Sequence, residues 1–367
     1  MQREFSRPWR IASVDALRGF SMFWIIGGAD IFRSFHELTG NHMVSSLVRQ
    51  FYHASWHGFT FYDLIFPLFL FTVGVVIPLS LKKRLQREGC VRKVYLHIVK
   101  RTIILFCLGL LYNWGFSISS IRIAGVLQRI AICYFFTAMI FLNTGVETQG
   151  VIASTLLILY WALMKLVPVP GYGAGVLTPE GNLAGYVDRL LLPGNFCCYG
   201  WGDNEGILST IPAISTTLFG ALVGQRIAST IDPKRKVVDL LLAGFAGVFL
   251  GIVADEWFPI NKTLWTSSYV LLTAGLSCIL LSFFYFTIDV GGCRRWAFPF
   301  IVIGLNSVTI YMMQRLVNFG LIVDLFLGRL LAPVLGSAEL VFRNIILFLI
   351  KWLILLWMYR KRIFIKV

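Results

Sequence analysis

A histidine stands where a polar, aromatic segment meets an apolar one. His53 lies in segment 51–60, which runs into the apolar segment 61–71, and Asp63 is the one carboxylate of that second segment. Imidazole is the side chain best able to accept and return a proton near neutral pH. A carboxylate such as Asp63 can hold an imidazole in one tautomer and stabilise its protonated form. The alternative is a helix-start carboxylate that the helix dipole favours.

Metal binding is the other chemistry that histidines suggest. His36, His42, His53 and His57 all fall before the apolar segment, and the last two are four residues apart. That spacing places two side chains on one face of a helix. A protein zinc site usually has three or four ligands at a recognisable spacing, and Gly58 interrupts a helix here. We therefore expect no metal.

Composition indicates a membrane protein. Of 367 residues, 57% are hydrophobic and only 14% are charged, and the mean hydropathy is +0.76. A soluble domain cannot bury that much apolar surface. The net charge of +15 comes largely from Lys and Arg in alternate loops, as the positive-inside rule describes. We therefore expect contact with membrane lipid and no binding to nucleic acid.

Ten stretches are long and apolar enough to be transmembrane helices, because about 20 apolar residues cross the hydrocarbon core. They lie near 11–33, 60–81, 98–116, 122–142, 149–167, 206–227, 237–255, 264–287, 297–316 and 344–361. The basic loops place both termini in the cytoplasm. The sequence therefore predicts an all-α polytopic membrane protein, with one integral-membrane domain over 1–367. The basic leader 1–10 lacks a clear cleavage site, so we expect the first span to be retained.

Three segments then face outward, near 34–59, 168–205 and 317–343. The second is rich in Gly and Pro, which indicates an ordered irregular loop, and long loops in compact domains are often functional. The third is typical of an amphipathic or re-entrant piece. Cys197 and Cys198 are adjacent in the second segment, and since adjacent cysteines rarely bond to each other, we expect free thiols.

Charged and amide side chains inside the predicted spans are costly and usually mark pairing or function. Asp15 and Arg18 lie one helical turn apart at the cytoplasmic start of the first span. Either they pair with each other, or Arg18 meets an anion such as a phosphate. Gln128 and Arg129 lie in the fourth span without a sequence-adjacent acid. For this pair the pattern favours ligand contact over pairing with another helix.

Further polar residues lie at or near the outer face. Glu205 precedes the sixth span, Asn261 and Lys262 link the seventh and eighth, and Asn306 lies in the ninth. Carboxylates, amides and a nearby tryptophan such as Trp265 suit a substrate rich in hydroxyls and amines, such as a sugar. The alternative is interfacial anchoring by Trp and Lys.

Eight short motifs together resemble the heparan-alpha-glucosaminide N-acetyltransferase family. They are SVDALRG at 13–19, HASWHG at 53–58, DLIFP at 63–67, GVLQRI at 125–130, AGYVDRLL at 184–191, EGIL at 205–208, PINK at 259–262 and GLNS at 304–307. Each is modest alone. They occur in the order of the family and extend from the first to the ninth predicted span.

The resemblance implies a transmembrane acetyltransferase that uses acetyl-CoA from the cytoplasm and acetylates a terminal glucosamine on the far side. The active-site histidine of the family falls on His53. Two departures stand out. The animal lysosomal members carry an asparagine near the outer end of the first helix, where this chain reads IIGGAD over 25–30 and offers Asp30 instead. We also expect their large lumenal domain to be missing, which indicates a bacterial-type member in the inner membrane.

Our sequence-based hypothesis is acetyl transfer from acetyl-CoA to the amine of a glucosamine-type sugar outside the cytoplasm, with His53 as general base or acetyl carrier. The predicted site consists of His53 and Asp63 for catalysis, Arg18, Gln128 and Arg129 for acetyl-CoA, and Glu205, Asn261, Lys262 and Asn306 for the acceptor or the developing oxyanion. O-acetylation of a surface or lipid-linked glycan and transport of a small anion or sugar are the alternatives. The oligomeric state is open, with a homodimer among the options.

Overall fold

The computed structural model describes residues 11–39, 42–114, 122–325 and 335–365, so the leader 1–10 lies outside the described residues. The helices are α1 (Ala12–Phe23), α2 (Ala29–Thr39), α3 (His42–Arg49), α4 (Ile65–Glu88), α5 (Val91–Trp114), α6 (Val126–Asn143), α7 (Val146–Leu166), α8 (Leu183–Leu191), α9 (Thr210–Ala228), α10 (Pro233–Asp255), α11 (Ser267–Phe284), α12 (Phe298–Leu305), α13 (Ser307–Leu316), α14 (Phe319–Val323) and α15 (Glu339–Arg360). A short hairpin of β1 (Pro168–Val169) and β2 (Gly173–Ala174) follows α7.

Seven helical segments in the described ranges are long and apolar enough to cross a membrane: Phe61–Glu88, Val91–Asn113, Val126–Asn143, Val146–Leu166, Pro233–Asp255, Ser267–Val290 and Glu339–Arg360. Each coincides with one of the ten predicted spans. The prediction of an all-α integral membrane protein is therefore confirmed, while the count of ten and the cytoplasmic termini stay predictions.

The other three predicted spans are helical but differ from a continuous apolar helix. The first, 11–33, is divided by a π-helical turn at Trp24–Gly28, in which Gly27 takes a φ of 147°, and only glycine adopts that conformation readily. The ninth, 297–316, is divided into α12 and α13 at Asn306. The sixth corresponds to α9, whose buried residues include the polar Thr210, Ser215, Thr216 and Thr217.

The chain divides into two compact units. The first comprises Met1–Ala54, Thr60–Phe69 and Phe284–Val367, and the second comprises Ser55–Phe59 and Leu70–Phe283. The prediction of one domain over 1–367 stays a prediction.

In the first unit, α1 and α12 pack backbone against backbone. A methyl group at Gly19 would lie 1.7 Å from the carbonyl oxygen of Phe300, and one at Gly304 would lie 2.0 Å from that of Asp15. Small residues permit such close approach of membrane helices. The first turn of α1 is capped by the Asp289 carboxylate, which accepts hydrogen bonds from the backbone N–H groups of Ala12 and Ser13.

In the second unit, α4 and α9 approach in the same way. Methyl groups at Gly74, Gly220 and Gly224 would lie 2.0–2.3 Å from backbone carbonyl oxygens of the facing helix. The face of α9 that carries Gly220 and Gly224 therefore packs against α4 without large side chains between them.

Segment 168–205 contains more regular structure than its composition indicates. It holds the hairpin β1–β2 and the helix α8, whose first turn is capped by the Asn182 side chain through the N–H of Gly185. The prediction of free thiols is wrong, since Cys197 and Cys198 are bonded to each other. Cys198 takes a positive φ of 87° and Cys197 donates its N–H to Asp203, so a constrained turn brings the two sulfurs together.

The close contact of α1 with α12 gives a test of the fold. We expect Gly19→Ala to destabilise the protein by about 1–3 kcal/mol, because the added methyl group overpacks the interface. The measurement is the thermal unfolding midpoint in detergent. The control is Gly150→Ala on α7, where a methyl group meets no atom within 4 Å. An equal midpoint for both variants would contradict the close contact.

Candidate functional site

Asp63 and His53 are in direct contact in the first unit. The Nδ1 atom of His53 lies 2.7 Å from Oδ1 of Asp63. The side chain of His53 is 48% exposed, whereas that of Asp63 is 0% exposed. An ionised carboxylate only accepts hydrogen bonds, so Nδ1 of the imidazole carries the proton and Nε2 holds the lone pair of the neutral ring. The ring is thus set in the tautomer that a general base requires.

Local sequence positions this carboxylate. Asp63 lies in the single 3₁₀ turn Phe61–Leu64 that leads into α4, and Thr60 caps the turn. Its Oδ2 atom accepts hydrogen bonds from the N–H of Ala54 at 3.2 Å, the N–H of Thr60 at 3.1 Å and the hydroxyl of Thr60 at 2.9 Å. A buried carboxylate is tolerated only when donors satisfy it. The same carboxylate lies at a helix start and contacts the imidazole, so its position is compatible with both roles that the sequence suggested.

A tyrosine ring lies beside the histidine, and an arginine packs against that tyrosine. The rings of His53 and Tyr62 have centroids 4.8 Å apart. The guanidinium carbon of Arg33 lies 4.8 Å from the centroids of Tyr52 and Tyr62. Arg33 also donates to the carbonyl of Phe51 through Nε at 3.0 Å and through Nη2. Neither Arg33 nor Tyr62 was singled out from the sequence, because Arg33 is the last residue of the first predicted span and Tyr62 lies in an apolar run.

From the sequence, Asp30 was the residue considered in place of the asparagine that the animal lysosomal family members carry near the outer end of the first helix. In the structure its carboxylate accepts from Nη1 of Arg33 at 3.0 Å. Asp30 therefore serves as the counter-ion of Arg33.

Arg18 and Asn306 lie at adjoining positions in the first unit. Nη2 of Arg18 donates to the hydroxyl of Ser307 at 2.9 Å. The amide of Asn306 donates to the carbonyl of Ile363 and accepts from the N–H of Ile365. The amide of Asn306 thus binds the segment that follows α15, and the next residue, Ser307, binds Arg18. This placement does not support a contact between Asn306 and the acceptor.

Arg129 is buried in the first turns of α6 in the second unit. Its side chain is 1% exposed. Nη2 donates to the hydroxyl of Ser209 at 2.5 Å and to the carbonyl of Gly206 at 3.4 Å, and the guanidinium lies 4.9 Å from the ring of Trp265. In the part of the chain that the structure describes, Nε and Nη1 have no hydrogen-bond partner.

Gln128 is buried beside Arg129, and neither atom of its amide finds a partner among the described residues. Gly109 and Gly125 leave room for the side chain of Gln128, because a methyl group at either glycine would lie within 2.7 Å of its Oε1 atom. Each buried polar atom left without a hydrogen bond costs about 1–3 kcal/mol. Gln128 and Arg129 together thus hold four buried polar atoms that an additional hydrogen-bonding group would satisfy.

Glu205 forms part of a charge cluster around Arg122. Arg122 donates to both carboxylate oxygens of Asp203, at 2.6 and 2.5 Å, and to Glu205 at 2.5 Å. Burial alone lowers the pKa of Arg122, but its hydrogen bonds and the two negative charges raise the pKa overall. Burial likewise opposes ionisation of Asp203, yet the hydrogen bond and charge of Arg122 hold its pKa below the usual range. The sequence indicated neither Arg122 nor Asp203 as a partner of Glu205.

A buried carboxylate, Asp188, supports the same cluster. It accepts the N–H groups of Asp203 at 3.1 Å and Ile207 at 2.9 Å, and a methyl group at Gly206 would lie 2.0 Å from its Oδ2. Burial raises the pKa of Asp188. Asp188 thus fixes the loop that carries Asp203, Glu205 and the carbonyl bound by Arg129.

Asn261 is fully buried and builds the turn between α10 and α11. Its Oδ1 accepts the N–H of Leu264 at 2.8 Å, and its Nδ2 lies 3.5 Å from Nδ1 of His57. Asn261 and the neighbouring Lys262 therefore lie in a turn that contacts His57, a residue of the HASWHG motif. Burial lowers the pKa of His57, partly opposed by the charge of Asp255. Over the described ranges, no group of three His, Cys, Asp or Glu side chains could hold a metal ion.

Comparison with known proteins shows two kinds of similarity. Residues 10–170 match a protein family described as a domain of unknown function (DUF5009). The chain is 32% identical to the heparan-alpha-glucosaminide N-acetyltransferase of Mus musculus over 320 residues, covering 71% of this chain and 48% of the mouse protein. It is 30% identical to the Homo sapiens protein of that name, covering 83% of this chain and 52% of the human protein. The chain thus spans about half the length of these relatives.

The Arg122 cluster gives a stability prediction. We expect Asp203→Asn to lower the free energy of unfolding by about 1.5–3 kcal/mol, because hydrogen bonds to a charged partner are lost. The folded-state pKa of Asp203 lies below 3.8, the ordinary value of an aspartate. The difference from wild type should therefore be complete above about pH 3.8 and shrink as pH falls through the folded-state pKa.

The measurement is the unfolding midpoint of both proteins across this pH range. Asp324→Asn is the matched control, because Asp324 is also bound by an arginine, Arg343, but is exposed. Exposed ion pairs contribute little to stability because solvent screens the two charges. A cost for Asp203→Asn no larger than for the control would show that the cluster does not hold the loop.

Proposed function

Because this chain belongs to the family of heparan-alpha-glucosaminide N-acetyltransferases, we propose that it is a transmembrane acetyltransferase. It moves an acetyl group from acetyl-CoA to the amine of a glucosamine-type sugar on the extracytoplasmic side. The observation that carries the proposal is the contact between the half-exposed imidazole of His53 and the fully buried carboxylate of Asp63, 2.7 Å apart. In that pair the imidazole is a base held in one tautomer, and the carboxylate beside it stabilises the positive charge that the imidazole gains on protonation.

In this mechanism Nε2 of His53 removes a proton from the acceptor amine as the nitrogen attacks the thioester carbonyl. The new C–N bond forms, the C–S bond breaks, and the imidazolium returns its proton to the departing CoA sulfur. Asp63 holds the ring through Nδ1 and stabilises the imidazolium. Alternatively, Nε2 attacks the thioester first, and the acetyl group passes through an acetyl-imidazole to the amine.

For the donor we propose Arg18 at the CoA phosphates and Gln128 and Arg129 at the carrier arm of acetyl-CoA. Arg18 is supported by its position at the predicted cytoplasmic start of the first span. Gln128 and Arg129 are supported by their buried atoms that lack partners in the described residues. The two amide groups of a pantetheine arm supply the donors and acceptors that such atoms require.

For the acceptor we propose the outer residues Glu205, Asn261 and Lys262. Glu205 is supported by its place in the charge cluster around Arg122. Asn261 and Lys262 are supported by their place in the turn that contacts His57. Asn306, assigned to the acceptor from the sequence, is supported less well than these three, because its amide binds the segment after α15.

The setting of the enzyme is part of the same proposal. We propose ten membrane crossings with both termini in the cytoplasm, a single integral domain, and residence in a bacterial inner membrane among lipids. Its acceptor is an amino sugar or an amino-sugar-containing glycan, and association as a homodimer is an option.

O-acetylation of a glycan hydroxyl is the second candidate, since a base paired with a carboxylate activates a hydroxyl equally well. Product analysis separates the two, because an acetyl ester is cleaved by mild alkali and an amide is not. Transport of a small anion or sugar is the third. The buried Arg129 favours it, and counterflow of labelled substrate in proteoliposomes would support it.

Removing the base gives the first functional prediction. We expect His53→Ala to lower acetyl transfer by about 10²–10⁴-fold, the usual contribution of general base catalysis. The unfolding midpoint should fall only modestly, because the buried carboxylate of Asp63 loses one hydrogen-bond donor but keeps those of Ala54 and Thr60. The measurement is transfer of labelled acetyl groups from acetyl-CoA to glucosamine by purified protein. His36→Ala is the control, since His36 contacts Ser45 in the same unit. Wild-type turnover in His53→Ala would reject the assignment.

Donor binding gives the second functional prediction. A ligand at 100 times its dissociation constant stabilises the native state by about 2.7 kcal/mol, so acetyl-CoA should raise the unfolding midpoint of wild type and of His53→Ala. We expect this increase to be reduced in Arg129→Met and in Gln128→Leu, which retain similar volumes. Arg226→Met is the control, because Arg226 is paired with Asp239. No stabilisation of the wild type at millimolar acetyl-CoA would favour the transport alternative.

A further inference from the structure

The histidine has a second contact besides Asp63. Its ring lies 4.8 Å from that of Tyr62, centroid to centroid, with an angle of 38° between the planes. One hydrogen bond at Nδ1 fixes a point on the imidazole but permits the ring to tilt about the Nδ1···Oδ1 line. Packing against an aromatic face limits this tilt. The direction of Nε2 is therefore set by Asp63 and Tyr62 together.

Arg33 supports both Tyr62 and the backbone that leads to His53. Its guanidinium lies 4.8 Å from the Tyr62 ring and the same distance from the Tyr52 ring. Its Nε and Nη2 atoms both donate to the carbonyl of Phe51, two residues before the histidine. A single side chain thus braces the aromatic ring beside the imidazole and the chain segment that carries it.

The contacts of Arg33 require an arginine and more than its charge. A guanidinium is planar, so it can lie against aromatic faces while several of its N–H groups donate in fixed directions. Here Nη1 donates to Asp30, while Nε and Nη2 share the Phe51 carbonyl. A lysine ammonium retains the charge but not the planar contacts with Tyr52 and Tyr62.

We propose that Arg33 and Tyr62 are positioning residues for His53, which hold the direction of its Nε2 atom toward the reacting groups. The proposal rests on the proposed acetyl transfer, in which Nε2 is the reacting nitrogen. Neither residue takes a chemical step. Their loss lowers the fraction of time in which Nε2 is aligned, so the turnover rate falls while binding of the two substrates is unchanged.

The first test is steady-state kinetics with acetyl-CoA and glucosamine. We expect Tyr62→Leu and Arg33→Met to lower kcat by about 10- to 100-fold, since small misplacements of a reacting group cost up to about 100-fold. Both KM values should remain at the wild-type level. Tyr62→Phe retains the ring and should restore kcat, whereas Arg33→Lys should resemble Arg33→Met.

The second test needs no enzymatic activity. Diethylpyrocarbonate acylates accessible imidazole nitrogens, and its rate at His53 is followed by mass spectrometry of the peptide that contains this residue. We expect a faster modification rate in Tyr62→Leu and Arg33→Met than in wild type and Tyr62→Phe, because the ring is less confined. Arg33→Lys keeps a cation beside Asp30, so it serves as the second variant if Arg33→Met folds poorly.

Two controls match the chemistry of the changes. Arg343→Met removes an arginine that donates through two nitrogens to Asp324 elsewhere in the first unit, and Tyr172→Leu removes an exposed tyrosine of the second unit. Both should keep the wild-type kcat and the wild-type modification rate at His53.

The outcomes separate the two proposals. Wild-type kcat and an unchanged modification rate in Tyr62→Leu would overturn the positioning role, even if acetyl transfer is observed. An absence of acetyl transfer by wild type would reject the proposed function, while faster modification of His53 in Tyr62→Leu would still support the positioning role. A rise in KM with unchanged kcat would also overturn the positioning role, because it would indicate a role in substrate binding.

Discussion

The candidate site depends on the burial of one carboxylate. Asp63 is removed from solvent, and a buried ionised carboxylate is stable only when hydrogen-bond donors surround it. Those donors are the imidazole of His53, the N–H of Ala54, and the N–H and hydroxyl of Thr60. The same group therefore closes the polar segment on itself, caps the start of α4 and determines the tautomer of the histidine. Chemistry and local folding are not separable here, so a change at Asp63 affects both.

Local patterns explain what the sequence could predict. Apolar length alone identified seven helices that the structure also shows, because crossing hydrocarbon imposes a minimum length on any helix. The contact of His53 with Asp63 was predictable because the two are ten residues apart and flank a helix start. The division of the first predicted span at Gly27 was not predicted, since the span was judged on hydropathy, which does not register a backbone φ of 147°.

Contacts between distant residues explain what the sequence could not predict. Arg122 meets Asp203 and Glu205 more than 80 residues along the chain, with separations of 81 and 83. Arg33 reaches Phe51 and Tyr62 only because α2 and α3 return the chain toward α4 within the first unit. Periodicity and charge spacing carry no information about such pairings. The resemblance to a family also gave no hint of them, because the motifs quoted for it include neither Arg33 nor Tyr62.

The bond between Cys197 and Cys198 has a consequence for sidedness. Disulfides persist in oxidising compartments and are rare where glutathione and thioredoxin keep thiols reduced. The proposed topology places segment 168–205 on the outer side of the membrane, and a bond between Cys197 and Cys198 agrees with an oxidising compartment on that side. The oxidation state of this cysteine pair is therefore evidence for membrane orientation that does not depend on where lysine and arginine residues lie. Its redox state in cells would indicate which aqueous compartment the charge cluster around Arg122 meets.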